Sequence, residues 1–389
     1  MGKKCSFCGY KKDDFLPGIQ RGIGICKSCS PIAYEHFYGK LENNRNTNTN
    51  KKEASPLYSN LLKPHELKKR LDEYVIGQEN AKKILTVEIY NHYKRINSKI
   101  KSTIPKNNVL LIGDSGSGKT YLIETMAKLI NVPLSIIDAT SLTEAGYIGK
   151  DVDSILITLL QEANGDVSSA EKGIVFIDEV DKLAKRLSNS STRDPQGEGV
   201  QQALLKMIEG SNFTIDINQK LIKKTTVTMN TSNILFVFAG AFGGLDEIVK
   251  NRTVSKTIGF TEMNQLEENY ESPIKTEDLI EFGMVPEFIG RIPLILKLNA
   301  LTKENMIDIL VKPKGAIIPE YQKLFQEEHK KLDFTSEAIE YIAIEAIHKG
   351  LGARGVTSII AKKMNELLYE MLMDEELTEF TVTKEFFIS

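Results

Sequence analysis

The clearest chemical signal in the chain is Gly113-Asp114-Ser115-Gly116-Ser117-Gly118-Lys119-Thr120. Glycines in this pattern let successive backbone N–H groups turn toward phosphate oxygens, and the N-terminus of a following helix adds partial positive charge. The apolar run Val109–Ile112 precedes the segment and the helical run Tyr121–Ile130 follows it, which is the strand, loop and helix setting a phosphate loop requires. Lys119 is expected to reach the β- and γ-phosphates of ATP, and the Thr120 hydroxyl to ligate Mg²⁺. A plain Gly-rich turn before a helix is the alternative, and the complete pattern argues against it. Gly113–Gly116 also spells the tetrapeptide around the nucleophile of some serine proteases. None of the five histidines, His36, His65, His92, His329 and His348, stands in a context that could activate Ser115.

A second segment, Gly173-Ile-Val-Phe-Ile-Asp178-Glu179-Val-Asp181, reads as a buried strand ending in adjacent carboxylates, the Walker B arrangement. Adjacent positions suit two tasks: Asp178 holds hydrated Mg²⁺, and Glu179 polarises the water that attacks the γ-phosphate. Alone such a pair could be a solvated turn; downstream of a phosphate loop it predicts ATP hydrolysis. A third cluster is metal chemistry. All four cysteines fall in two Cys-x2-Cys knuckles, Cys5/Cys8 and Cys26/Cys29, with seventeen residues between Cys8 and Cys26. That separation fits one tetrahedral Zn²⁺ held by four thiolates, a closed structural site, with two disulfides as the alternative.

These groups need elements to position them. Residues 1–40 hold the cysteines, and 41–60 are polar and Asn/Thr/Lys-rich, as in a flexible linker. From Leu61 short apolar strands (Asn108–Ile112, Leu134–Asp138, Ile174–Asp178, Ile234–Ala239, Ile292–Leu298) alternate with helical segments, which predicts an α/β fold with a mostly parallel sheet over 61–299. Residues 300–389 show helical spacing, as in Glu337–His348 and Val356–Met371, with a β-like tail at Glu379–Phe387, and read as a smaller, mainly helical domain. At 389 residues the chain is long enough for several packed units. Fifty Lys and Arg against 52 Asp and Glu give a net charge of -2, with no general pull toward nucleic acid or anionic membrane. Lys3, Lys4, Lys11, Lys12, Arg21 and Lys27 make only the cysteine segment locally basic. No apolar run approaches the roughly 18 residues that span a bilayer, and the N-terminus lacks a secretory core, so a cytoplasmic protein is expected.

Taken in order, these motifs and several others resemble the ClpX family of AAA+ P-loop unfoldases over nearly the whole chain. The further matches are Gly146-Tyr147-Ile148-Gly149, Gly197-Glu-Gly-Val-Gln-Gln-Ala-Leu-Leu-Lys206, Ile258-Gly259-Phe260, Pro286-Glu-Phe-Ile-Gly-Arg291 and Gly352-Ala353-Arg354-Gly355. The resemblance implies a homo-hexameric ring that unfolds protein substrates through a central pore and passes them to a ClpP-type peptidase. It implies that Tyr147 grips substrate in the pore and that Ile258, Gly259 and Phe260 dock on the peptidase. Arg291 is implied as the arginine finger acting on a neighbouring subunit's nucleotide, and Arg354 as the sensor-2 arginine. Tyr74-Val-Ile76-Gly77-Gln78 has the look of the family's adenine-packing segment, with Ile76 in contact, and the zinc module is implied to dimerise and to recruit adaptors or substrates.

The chain departs from the family pattern in two places. Between Gly210 and Ser232 an Arg-Lys-His loop is expected, whereas this chain has Lys220, Lys223 and Lys224 without Arg or His. The strand end Phe238-Ala239-Gly240 offers no polar side chain, so no sensor-1 residue is assigned. Leu187–Gln196, whose Ser, Thr and Asn content reads only as a mobile loop, would correspond to a second pore loop. Two other function classes share the ATPase motifs: a peptidase-independent remodelling chaperone, and a nucleic-acid motor, which would need a basic tracking surface beyond the cysteine segment.

Overall fold

A computed structural model describes residues 5–6, 15–17, 24–27, 29–30, 61–98, 105–143, 150–185, 195–219, 223–255, 273–350, 352–374 and 376–388. The chain divides into two compact units, Met1–Leu57 and Tyr58–Ser389. In the first, Phe15–Pro17 pairs antiparallel with Gly24–Cys26. The Ser6 N–H donates to the Gly24 carbonyl (2.8 Å), and the Gly24 N–H returns a bond to Ser6 Oγ (3.1 Å), tying the first knuckle to that ribbon.

The second unit is built on a five-stranded parallel sheet. Its strands are β1 (Val109–Ile112), β2 (Leu134–Asp138), β3 (Ile174–Asp178), β4 (Leu235–Gly240) and β5 (Leu294–Lys297), lying side by side in the order β5-β1-β4-β3-β2. Continuous apolar runs such as Val-Leu-Leu-Ile suit strands covered on both faces. Alternation within them feeds two cores. Leu110, Ile112, Val175, Ile177, Phe236 and Phe238 face one helical layer, whereas Val109, Leu111, Ile174, Phe176, Leu235 and Val237 face the other. That second layer is α1 (Pro64–Asp72), α2 (Glu79–Asn97) and α3 (Lys119–Ile130), which contribute Leu67, Leu71, Leu85, Ile89, Leu122 and Met126. On the opposite face lie Ser154–Glu162 and α4 (Pro195–Glu209), whose Val200, Leu204 and Met207 are buried.

Beyond the sheet, α5 (Lys303–Val311), α6 (Ile317–Glu327), α7 (Ser336–His348) and α8 (Gly352–Met373) close around a separate core that includes Met306, Leu310, Phe325, Ile342, Ile360 and Met364. Thr302 and Thr335 start α5 and α7 by accepting N–H bonds from Asn305 and Ala338. None of the described helices is long and apolar enough to cross a membrane.

The structure corrects the sequence reading in two details. The tail expected as β-like over Glu379–Phe387 is a strand only at Glu379–Val382, paired parallel to Lys331–Phe334, and then turns into the short helix Lys384–Ile388. Within the stretch treated as a loop after Gly210, Asn212–Gln219 and Lys223–Asn230 form an antiparallel hairpin in register from Asn212↔Asn230 to Gln219↔Lys223.

Candidate nucleotide site

The site lies at the C-terminal ends of β1, β3 and β4, where a parallel sheet gathers its loops. The phosphate loop leaves β1, and its Gly116 and Gly118 take positive φ values of 77° and 95° before α3 begins at Lys119. Lys119 is 8% exposed, and its ammonium donates to the carbonyls of Gly113 (2.6 Å) and Asp114 (2.9 Å). Burial lowers its pKa; the carboxylates of Asp178, Asp181 and Asp114 oppose that shift, and the Arg354 guanidinium adds to it. Thr120 Oγ1 donates to Asp178 Oδ2 at 3.0 Å, joining the loop to the end of β3. The next residue, Glu179, adopts a left-handed backbone (φ 56°) and is exposed, while its N–H donates to Asp178 Oδ1 at 2.9 Å. A left-handed non-glycine residue costs on the order of 1 kcal/mol and persists where neighbouring contacts fix it.

A cavity of about 490 Å³ opens between these groups and the C-terminal helices. One wall is Ser115–Tyr121 with Asp178, Glu179 and Asp181; a second is Tyr74, Val75 and Ile76; the third is supplied by Ile309, Pro313, Ile317, Arg354 and neighbouring residues. Its volume suits a small-molecule ligand, its apolar walls suit a flat ring, and its polar end is the phosphate loop. Gly113 and Asp114 stand behind the loop and meet Lys119 through their carbonyls.

The two halves of this cavity are joined by contacts that the sequence reading did not assign. The Gln78 side chain accepts the Asn299 N–H (2.9 Å) and donates to the Asn299 carbonyl (2.8 Å) and the Ser117 carbonyl (3.3 Å), from a left-handed backbone with φ 57°. One amide thus grips both the phosphate loop and the segment leading to α5. Lys314 donates to Glu73 twice, from its backbone N–H to the carbonyl (2.8 Å) and from Nζ to Oε2 (2.6 Å). Gly352 abuts the loop closely: a Cβ there would lie 2.6 Å from the Gly116 carbonyl oxygen, so only glycine lets α8 bring Arg354 to the cavity.

Arg291 is not in this cavity. It lies on the exposed surface after Pro286–Ile289, and its guanidinium pairs with Glu209 Oε1 at 2.6 Å. In the first unit the thiols of Cys5, Cys26 and Cys29 are buried and lie within 4.8 Å of one another, and the Cys26 N–H donates to Cys5 Sγ at 3.2 Å. Three convergent sulfurs with a backbone donor fit a tetrahedral metal better than they fit a small apolar core. Cys8, Tyr147 and Ile258–Phe260 lie outside the described residues, as does Leu187–Asp194 of the expected second pore loop.

Comparison with known proteins matches this geometry. A family model described as the AAA domain (Cdc48 subfamily) fits residues 104–295, and one described as the C-terminal, D2-small domain of ClpB protein fits 301–384. The ATP-dependent Clp protease ATP-binding subunit ClpX of Treponema denticola is 45% identical over 381 residues, spanning 94% of this chain and 89% of that relative.

The chain belongs to the ClpX family.

It is an AAA+ ATPase, with the nucleotide-binding loop, the parallel sheet and the helical C-terminal region expected of a ClpX-family protein. Near its N-terminus, Cys5, Cys26 and Cys29 form a buried thiol cluster compatible with zinc. Of the features missed by sequence reading, Asp181 carried a signal in its place three residues past Asp178, and the hairpin carried one in the alternation of Phe213, Ile215 and Ile217.

Proposed function

We propose that this chain is the unfolding subunit of a two-part protease: an ATP-driven homo-hexamer that draws protein substrates through its pore and delivers them to a ClpP-type peptidase. In this reading 1–40 is a zinc-binding module that recruits substrates or adaptors, 41–60 a linker, 61–299 the large ATPase domain and 300–389 the small domain. The chain acts in the cytoplasm and cleaves no peptide bonds itself.

One observation carries the reading furthest. The cavity is shared between the sheet's phosphate loop and the C-terminal helices, so a change at the phosphates alters how the two parts meet. ATP would sit with its base against Ile76 and its phosphates against Gly113–Thr120. Thr120 and Asp178 would hold Mg²⁺, which neutralises phosphate charge when bound. Lys119 binds the phosphates and Glu179 orients the attacking water. Arg354, on α8, senses the nucleotide from the small domain, and Arg291 serves the neighbouring subunit's site. Hydrolysis then shifts the two domains, and Tyr147 pulls on an extended chain with an aromatic side chain that grips any sequence. Ile258, Gly259 and Phe260 form the docking knob for the peptidase, and the four cysteines hold Zn²⁺ as a structural ion.

The test follows the fluorescence of a stable fluorescent protein carrying an unstructured tag, mixed with the chain and ATP, with and without a ClpP-type peptidase. Loss of signal that requires ATP, Glu179 and Tyr147, and that the peptidase makes permanent, is the expected result. Loss that is reversible and indifferent to the peptidase would leave a remodelling chaperone. No loss across several tags despite ATP hydrolysis would overturn unfolding altogether.

A further inference from the structure

The tip of β4 stands beside the phosphate loop yet has no polar side chain of its own over Phe238-Ala239-Gly240. Its backbone is nevertheless tied on two sides. The Gly240 carbonyl accepts the Gly113 N–H at 3.2 Å, and the Ala241 N–H donates to Asp181 Oδ1 at 3.3 Å. Asp181 comes from the short turn of helix after β3, is 8% exposed and lines the nucleotide cavity. Its other oxygen lies 3.5 Å from Lys182 Nζ.

We propose that Asp181 is a positioning residue for ATP hydrolysis, holding the tip of β4 against the phosphate loop and so fixing the seat of Lys119. The proposal rests on the assignment of Gly113–Thr120 as the ATP phosphate site. The connection runs through consecutive contacts: Asp181 to Ala241, Gly240 to Gly113, and the Gly113 carbonyl to Lys119 Nζ at 2.6 Å. A carboxylate in this place supplies, from the helical turn after β3, the polar group that β4 lacks.

Gly240 is independent support. A Cβ at Gly240 would lie 2.6 Å from Asp181 Oδ1 and 2.7 Å from Phe242 Cε2, so the residue without a side chain stands where the carboxylate must enter. Any larger residue would push Asp181 or Phe242 away. The same carboxylate also opposes the effect of burial on the Lys119 ammonium, which agrees with its facing the phosphate end of the cavity. Asp181 touches the site through backbone and loop and is not assigned contact with the reacting atoms. Its loss should therefore slow turnover more than it weakens nucleotide binding.

The experiment compares full-length Asp181→Ala, Asp181→Asn and Gly240→Ala with the unmodified chain, measuring kcat and KM for ATP, affinity for a non-hydrolysable ATP analogue, and thermal unfolding. Asp181→Ala is expected to lower kcat about tenfold, with KM and analogue affinity within about threefold. Asp181→Asn keeps an oxygen acceptor for the Ala241 N–H and should restore most of the turnover, and Gly240→Ala should reproduce the loss. A kcat for Asp181→Ala within about twofold of the unmodified chain would overturn the proposal, as would a loss in Asp181→Asn as deep as in Asp181→Ala. If Asp181→Ala fails to fold, the Asn and Gly240 variants decide alone, since retained turnover in Gly240→Ala overturns the idea. Failure of the underlying site is separately visible, because then hydrolysis by the unmodified chain would not depend on Lys119.

Discussion

Two lysines bracket β1, and burial lowers the pKa of both. Lys119, at the C-terminal end, faces Asp178, Asp181 and Asp114, whose carboxylates oppose the shift. Lys106, before the N-terminal end, is pushed down to about 7 by burial and then by the nearby Arg95 guanidinium, with no carboxylate among the causes. Its ammonium donates to the Thr231 carbonyl at 3.3 Å and stands 4.8 Å from the Phe236 ring centroid, while His92 and Arg95 also converge on the carbonyls of residues 232–233. The contrast shows that a perturbed base does not by itself mark a site. What distinguishes Lys119 is a cavity at its tip and carboxylates around it that keep the charge available for phosphate; Lys106 props up a turn.

The sharpest way to break this contrast is to remove each lysine. Lys119→Ala should lower ATP hydrolysis by about a thousandfold, since a buried, positioned cation on the phosphates is lost. Lys106→Met should leave kcat and KM within about threefold. Comparable losses in steady-state assays of both variants would mean that the two ends of the sheet are not functionally distinct. Next in size is Glu179→Gln, which should lower kcat by about a hundredfold or more while a fluorescent ATP analogue still binds within a few-fold of normal affinity. Normal turnover in that variant would remove Glu179 from the chemistry.

A smaller effect tests how the third wall of the cavity reaches the loop. Gly352→Val places a branched side chain against the Gly116 carbonyl at a backbone φ of 53°, which glycine adopts readily and valine resists. Titration calorimetry should show ATP affinity reduced about tenfold, whereas the sheet and its two cores are untouched. Unchanged affinity would mean that α8 does not need to approach the loop for binding.

The two ends of the sheet were not equally legible in the sequence. The phosphate loop and the Asp178-Glu179 pair could be read because their chemistry demands particular residue types at fixed spacing, and the strands around them because they are continuous apolar runs. Asp181 stood in the Asp178-Glu179 segment and Gln78 in the Tyr74–Gln78 segment, both unassigned, because their partners are backbone atoms of Asn299, Ser117 and Ala241, and no side-chain pattern records a backbone partner. The hairpin over Asn212–Asn230 was missed for a different reason: its first strand alternates, but the second opens on the polar run Lys223-Lys-Thr-Thr226, and the antiparallel register Ile215↔Val227 becomes evident only when both strands are seen. Lys106 and Arg95 gave no signal either, since their burial depends on α2 meeting the turn before β4, two segments far apart in sequence.

The least disruptive test uses pH. Lys106 has a folded-state pKa of about 7, below the ordinary lysine value of 10.5. Between those limits the unfolded chain holds a proton that the folded chain does not, so stability rises with pH across this window, by up to about 1.4 kcal/mol per pH unit, and has no such slope below it. The charged form is therefore a liability at neutral pH, and the liability fades as the solution becomes alkaline. Lys106→Met abolishes that titration while preserving much of the apolar stem that crosses the Phe236 ring. In urea unfolding of the full chain, Lys106→Met should exceed the unmodified protein in stability at pH 7, by an amount on the order of 1 kcal/mol once the lost bond to Thr231 is subtracted, and the order of the two should reverse by pH 9.5, because the slope acts over most of that interval. A gap of the same size at both pH values would show that Lys106 stays protonated in the folded protein. In that case burial and the arginine beside it do not set its charge, and the contrast with Lys119 would rest on the cavity alone.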